Sequence, residues 1–496
     1  MRKTFSKSVM MLLVIIIIYI IHTIYFEKKQ VDEKRVNKDY MKFVIAFPTM
    51  TNIPEDLLLV QEEINKITRS QIEVEVELKV FKFEEYKQAV QTMLVDHKQL
   101  DLMLALNHIH TEVNIKDQLV VLNDIIKQNG KGIIDAVGKD AIEACKLNGN
   151  IYGVPNVRGY ATGYDGYVLR KDLVDKYKID VKSIKTIKDL EAVFEIIKNN
   201  EPDLIVLVPG TRTLLYHHGE YDKLGGNVFG VLPNYGQDDQ IVDLFATQKY
   251  MENLELVRRW YLKGYLQPDI FMDNLTLEQK ISENKIFAYT QFGKPGIEQQ
   301  EQSYYDVEME FIQIGETAIG SEAISKCLWT ITRNTISQEK SMQLLNLLYT
   351  NADIMNLLCY GMEGRHYIFS EDGHIKSADN LGQKYTMGNS WSMPNQFITH
   401  IWEGNSLTLW DDLHAFQEGA IKSKGIGFRF DISPVYKEYI AVEKIYTQYS
   451  IILENGLVDP KIYLPKMREE LDAAGLKRVI IEKQHQFEKW KLKNKQ

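Results

Sequence analysis

Lys146-Leu147-Asn148-Gly149-Asn150-Ile151-Tyr152-Gly153-Val154-Pro155 is the stretch on which the fold turns. Asn148-Gly149-Asn150 lies between apolar residues, and asparagine and glycine both accept the left-handed backbone that a tight reversal needs, so a hairpin turn is expected. The run 151–154 behind it reads as a short strand. It must stop at Pro155, which has no N–H for a neighbouring strand. Before this hairpin, 43–47 is an apolar run closed by Pro48, the pattern of a buried strand. Residues 57–68 have helical spacing. Residues 72–83 alternate, with Ile72, Val74, Val76, Leu78 and Val80 on one face and Glu73, Glu75, Glu77 and Lys79 on the other, so this strand has one solvated face. A helix over 86–97 and a strand over 101–106, ending at Asn107, follow. After the hairpin, 204–208 is a short buried strand closed by Pro209-Gly210, and 254–263, 340–350 and 353–360 read as helices. Strands alternating with helices predict α/β layers.

The chain has 496 residues, 45% hydrophobic and 26% charged, which is globular composition with room for two or three domains. The formal net charge is −9 with no large basic block in the folded part, so nucleic acid is excluded as a partner. Cys145, Cys327 and Cys359 are far apart and suggest neither a metal site nor a disulfide framework; they read as small buried apolar residues. Arg2, Lys3 and Lys7 precede an apolar run that reaches Phe26, the pattern of a secretion signal. No small-residue cleavage site and no lipid-accepting cysteine follows it. A run of about 18 residues spans a bilayer, so an uncleaved signal-anchor is expected, joined by the charged linker 27–39 to a domain on the outer face of the bacterial cytoplasmic membrane.

Several segments, in order, resemble the family 1 extracellular solute-binding proteins of ABC transporters, the maltose-binding-protein class. They are the hairpin 146–155; Leu169-Arg170-Lys171-Asp172-Leu173 with Ile187-Lys188-Asp189-Leu190; Trp260-Tyr261-Leu262-Lys263-Gly264-Tyr265-Leu266-Gln267-Pro268-Asp269; and Lys294-Pro295-Gly296. The last third is similar to a subgroup, often lipoproteins, with a C-terminal domain of unknown function. Its markers are Gly361-Met362-Glu363-Gly364-Arg365-His366-Tyr367, Pro394-Asn395-Gln396-Phe397, and Gly427-Phe428 before Ser433-Pro434. The chain departs from the subgroup in lacking the lipid-anchor cysteine and in having Pro394 where glycine is more frequent. The resemblance implies an α/β, two-lobed periplasmic-binding-protein-like fold with a ligand cleft between the lobes. It implies residues 1–40 as signal-anchor and linker, 41–158 with 270–321 as the first lobe, and 159–269 with 322–496 as the second. The implied function is capture of an oligosaccharide by lobe closure and delivery to ABC permease subunits, by a monomer with no cofactor and no metal. A membrane-tethered carbohydrate sensor is the alternative, and a glycan-active enzyme ranks behind both.

A sugar site needs aromatic faces for pyranose rings and planar polar groups for hydroxyls. The 27 Tyr and 6 Trp make such a site easy to build. Arg158, Tyr160 and Tyr164 follow the Val154-Pro155 crossover, a stretch that the resemblance implies lines the cleft floor, with hinge packing as their other reading. Asn107 ends a strand where open α/β sheets bind ligands. Tyr289, Gln291 and Phe292 precede Lys294-Pro295-Gly296, Tyr216 follows the strand closed at Pro209, and Trp391 and Asn395 lie in a polar, glycine-containing segment. Asn107 and Tyr289 are expected from the first lobe, and Tyr164, Tyr216 and Trp391 from the second. For an enzyme, the 68 acidic residues guarantee coincidental carboxylate pairs, so their presence decides nothing. The HExxH, GxSxG and Walker A patterns are absent. No catalytic residue is expected.

Overall fold

The apolar run before Pro48 forms β1 (Met41–Thr49). It pairs in parallel with β2 (Val74–Lys82) and with β3 (Leu102–Leu106) in the computed structural model, which describes residues 39–494 except 107–114, 148, 226 and 269–274. The expected signal-anchor and most of its linker, as well as Asn107, lie outside these residues; among the described ones no helix is long and apolar enough to cross a membrane. Along β2 the burial follows the alternation, with Val74, Val76, Leu78 and Val80 inside. The strand starts two residues later than its pattern, because Ile72 still belongs to helix Leu57–Ile72 and Glu73 caps that helix in the left-handed region at φ 56°. The helix expected over 86–97 covers Phe83–Val95. The hairpin closes through a bridge between Leu147 and Asn150 and leads to the two-residue strand β4 (Val154–Pro155).

The second sheet is built on β5 (Thr162–Arg170) and β6 (Ile205–Val208). A short bridge strand β7 (Tyr221–Asp222) lies outside it. β8 (Ile286–Gly293) pairs antiparallel with β5 and parallel with β6. β9 (Met309–Gln313) and β10 (Thr317–Ile319) also pair antiparallel with β5. The chain then returns to the first sheet through β11 (Cys327–Ile331), which lies between β3 and β4. A small hairpin of β12 (Tyr367–Phe369) and β13 (Ile375–Ser377) follows, and β14 (Ile421–Lys422) ends in the second sheet beside β10. The strand orders are β2-β1-β3-β11-β4 and β14-β10-β5-β8-β6, with β9 on β5.

Each sheet carries its own core. Helices Gln338–Thr350 and Ala352–Tyr360 cover the first sheet, where Met342, Leu345 and Ile354 pack with Phe43, Leu104 and Trp329. Helices Ile187–Asn200 and Gln248–Leu262 cover the second; Thr186 and Asp189 form a reciprocal capping box at the start of the first of these. Phe194, Trp260 and Phe287 meet there the inner faces of three C-terminal helices, Tyr436–Leu453, Pro460–Ala474 and Leu476–Asn494, through Val442, Leu464, Leu471 and Val479. Cys145, Cys327 and Cys359 are free and buried.

Two lobes therefore exist, with boundaries that differ from those expected. The resemblance implies residues 270–321 in the first lobe, yet β8, β9 and β10 are hydrogen-bonded into the second sheet. It implies residues 322–496 in the second lobe, yet β11 and the core residues through Met393 belong to the first. Short apolar strands carry no label of their sheet; pairing across hundreds of residues chooses it. The chain crosses between lobes at 156–161, at 320–326 and between Met393 and β14, and Asn156 Nδ2 ties the first crossover to the segment before the last by donating to the Trp391 carbonyl at 2.6 Å.

Candidate functional site

Open α/β sheets place ligands outside the carboxyl ends of their strands, and Phe292 near the end of β8 and Arg212 just beyond β6 face the space between the lobes. A cleft of about 2350 Å³ lies there. Helix Lys139–Ala144 and residues of the 147–152 hairpin line it from the first lobe. Arg158, Tyr160 and 320–326 line it from the crossovers, and Arg212, Tyr216, Lys223, Phe292 and 426–433 from the second lobe. The lobes touch at one edge. Gly427, at φ 88°, sits so close to helix Lys139–Ala144 that a Cβ on it would lie 3.1 Å from Ala144 Cα.

Local sequence places the aromatic wall. β6 ends at Pro209-Gly210, where a Cβ on Gly210 would stand 2.0 Å from the Thr290 carbonyl oxygen; only glycine lets the chain leave the sheet there. It turns into the short helix Leu214–His217, which presents Tyr216. Tyr164 comes from β5 beside a bulge at Asp165, φ 51°. The Phe292 ring lies 5.6 Å from Tyr164 and 5.9 Å from Tyr216, and the Lys223 ammonium lies 4.8 Å from the Tyr216 ring centre. Three neighbouring rings give an apolar, π-faced surface of the kind a sugar ring stacks on.

Charges surround this wall, and most of them are held by the protein itself. Glu454 accepts from Thr213 Oγ1 at 2.6 Å, Tyr250 Oη at 2.9 Å and Tyr446 Oη at 3.0 Å, and burial pushes its carboxyl up from its ordinary value. Asp222 accepts from Ser321 N at 2.8 Å, Ser321 Oγ at 2.7 Å and Leu224 N at 3.0 Å. His217 is buried, with Nδ1 2.9 Å from Thr290 Oγ1, and burial pushes it down to about 3, so it is neutral near pH 7. Two arginines keep free donors. Arg158 donates to the Gly159 and Ala323 carbonyls at 3.0 Å each, while its Nε has no partner among the described residues. Arg429 leaves Nε and Nη2 unpartnered among them, and burial lowers its pKa. A buried donor without an acceptor is costly, and a polar ligand or water relieves that cost. Among the described residues no group of three or more His, Cys, Asp or Glu could hold a metal ion.

Residues 424–492 match the family described as Domain of unknown function (DUF3502). A carbohydrate ABC transporter substrate-binding protein of Streptococcus pneumoniae serotype 4 is 24% identical over 464 residues, 92% of each chain. The crystal structure of the N-glycan transport solute binding protein of Streptococcus pneumoniae aligns with a TM-score of 0.82 at 22% identity, covering 92% of this chain and all of that one. The same protein in complex with Man5GlcNAc aligns at 0.71. The chain has the solute-binding-protein fold. These matches bear out the family 1 resemblance, its C-terminal domain included.

Within the solute-binding fold, Arg158, Tyr160, Tyr164, Tyr216 and Phe292 are brought together at the cleft. Tyr160 is partly committed, since its hydroxyl donates to the Asn156 carbonyl at 2.6 Å. Among the described residues, the remaining candidates do not line it. Tyr289 is 1% exposed beneath the second sheet, not the first, and donates to Glu301 Oε2 at 2.8 Å. Gln291 points the same way, donating to Glu301 Oε1 at 3.3 Å. Trp391 packs on the core of the first lobe rather than standing in the second, and its backbone serves the crossover. Asn395 is buried, donating to the Tyr349 carbonyl and accepting from Phe397 N. Arg212, Lys223, Glu322, Arg429 and Phe430 line the cleft and were not among the candidates. The Gly427-Phe428 marker adjoining Arg429 and Phe430 was the available signal for the last two.

Proposed function

We propose that this chain is the extracytoplasmic substrate-binding component of an ABC importer, held at the outer face of the cytoplasmic membrane by residues 9–26, and that it captures an oligosaccharide by closing its lobes. The cleft carries the reading. At about 2350 Å³ it exceeds the roughly 300–1,000 Å³ of a drug-sized ligand site, so it suits a ligand of several sugar units. Aromatic faces, Arg158 and Arg429, and residues of both lobes meet on it. Ligand drives closure only by gaining contacts in the closed form, which residues from both lobes allow. The lower alignment score against the glycan complex supports an open arrangement here. Glu454 and Asp222, each held by three internal donors, fit a binding role better than that of a general acid or nucleophile.

Titration calorimetry with Man1GlcNAc, Man5GlcNAc and maltopentaose, followed by mass spectrometry of the recovered sugar, tests this. Binding of at least one glycan, recovered intact, is expected. Folded protein that binds none of them, or a shortened glycan from independent preparations, overturns the proposal.

A further inference from the structure

The last helix, Leu476–Asn494, contains one lysine that does not reach water. Lys483 is 1% exposed. Its Nζ donates to the carbonyls of Lys223 at 2.8 Å, Gly230 at 2.8 Å and Asn227 at 3.3 Å. An ammonium has three donors and no acceptor, so this set is complete. Burial pushes Lys483 down to about 7 while Asp222 and Glu322 pull the other way; three carbonyl oxygens favour the charged form. The Phe430 ring supplies a further face, 5.4 Å from Nζ.

All three carbonyls belong to one loop, 223–230. Among its described residues, 223–225 and 227–230, that loop has no sheet ladder to fix its shape, and it holds left-handed backbone at Leu224, Gly225 and Gly230. Three carbonyl dipoles converging on a point repel one another unless a cation sits there. The loop carries Lys223, which caps the Tyr216 ring, and Asn227 and Val228, which line the cleft. Gly225 lies against Phe430, since a Cβ on it would stand 3.2 Å from Phe430 Cβ. Lys483 itself is absent from the cleft wall and acts from behind it. Gln486, three residues on, grips the cleft residue Asp431 from the same helix, accepting from its N–H at 2.9 Å and donating to its carbonyl at 2.8 Å.

We propose that Lys483 is a positioning residue that sets the shape of the cleft loop 223–230 and holds this part of the glycan-site wall from behind. The effect on affinity rests on the proposed function above; the effect on the loop does not. The full chain, wild type and with Lys483→Met or Lys483→Arg, is compared by hydrogen–deuterium exchange without glycan and by calorimetry with Man5GlcNAc. Methionine keeps the aliphatic stem and removes all three donors. Arginine keeps the charge but replaces a tetrahedral donor set with a planar fork. Exchange is expected to rise within 223–230 and at 430–431, with the rest of the chain unchanged. The Man5GlcNAc dissociation constant is expected to rise about tenfold for Met, corresponding to roughly 1.4 kcal/mol, and less for Arg. If Lys483→Met fails to fold, Lys483→Arg decides by the same readouts. Unchanged exchange in the loop, or exchange raised evenly over the whole chain, overturns the proposal. A wild type that binds no glycan at all sinks the proposed function instead, and the exchange result alone then decides the role of Lys483.

Discussion

The two walls of the cleft are built differently. The second-lobe wall is braced by buried polar networks: Glu454 with its three donors, Asp222 with Ser321, and Lys483 under the loop 223–230. The first-lobe wall is the six-residue helix Lys139–Ala144 and a hairpin with one bridge, where Asp140 and Glu143 are exposed. Satisfied buried networks rigidify their surroundings, whereas short, solvent-facing elements adapt at low cost. The difference suggests a division of labour: ligand docks on the preformed second wall, and the first lobe closes over it.

The largest effect that could break this comparison is expected at Glu454. Glu454→Ala leaves Thr213, Tyr250 and Tyr446 without an acceptor in the core of the second lobe and should destabilise it by about 3–5 kcal/mol. Denaturant melts followed by exchange should show loss of protection beginning in that lobe. Uniform loss, or none, would mean that the network is not what stiffens the wall. Next in size, Phe292→Ala should weaken glycan binding by about 1–3 kcal/mol with little change in the melt of the free protein, because its ring joins Tyr164 and Tyr216 at the cleft. Trp391→Ala is the contrast: calorimetry should find affinity nearly unchanged and the melting temperature of the free protein lowered, since this ring packs on the first core.

Gly427→Ala sharpens the comparison at the point where the lobes meet. A side chain there is strained at φ 88° and crowds Ala144, so a loss of about 1–2 kcal/mol in stability is expected, together with a larger radius of gyration in scattering. Unchanged scattering would mean that the lobes do not bear on each other there. The smallest effect concerns acid. In the first lobe, hydrogen bonds from Arg365 and then His366 hold the Asp56 carboxyl down at about 2, below its ordinary 3.8. A depressed carboxylate stabilises the fold above its unfolded pKa and loses that contribution as pH falls from about 4 toward 2. Melts of wild type and Asp56→Asn should therefore converge across that window; a constant gap would show that the pairing contributes nothing.

The strand β8 shows how far the candidate site was legible. Tyr289, Gln291 and Phe292 all precede a turn at the end of a buried strand, which makes each a candidate in the sequence. Side chains alternate along a strand, so 289 and 291 share one face and 290 and 292 the other. The first pair reaches Glu301 below the sheet; the second meets the buried His217, and Phe292 of that pair lines the cleft. The alternation was readable, but the face that looks into the cleft was not. Trp391 teaches a similar lesson. A tryptophan in a polar, glycine-containing segment looks costly to leave in water, and a bound sugar is only one way to cover it. Here the first core covers it, and the crossover at Asn156 holds its backbone.

Sequence by itself determined the local elements: the run before Pro48, the alternation from Val74 to Val80, the Asn-Gly reversal, and the succession of strands and helices that announces α/β layers. These depend on neighbours a few residues apart, where side-chain period and turn chemistry act directly. Tertiary structure alone decided which sheet received β8 to β11, which face of β8 looks into the cleft, and that Lys483, 253 residues from Gly230, would sit beneath the cleft wall. Those choices rest on pairing and burial between segments distant in the chain. A short apolar strand or a single lysine is compatible with many partners, and its identity does not state which one it will meet.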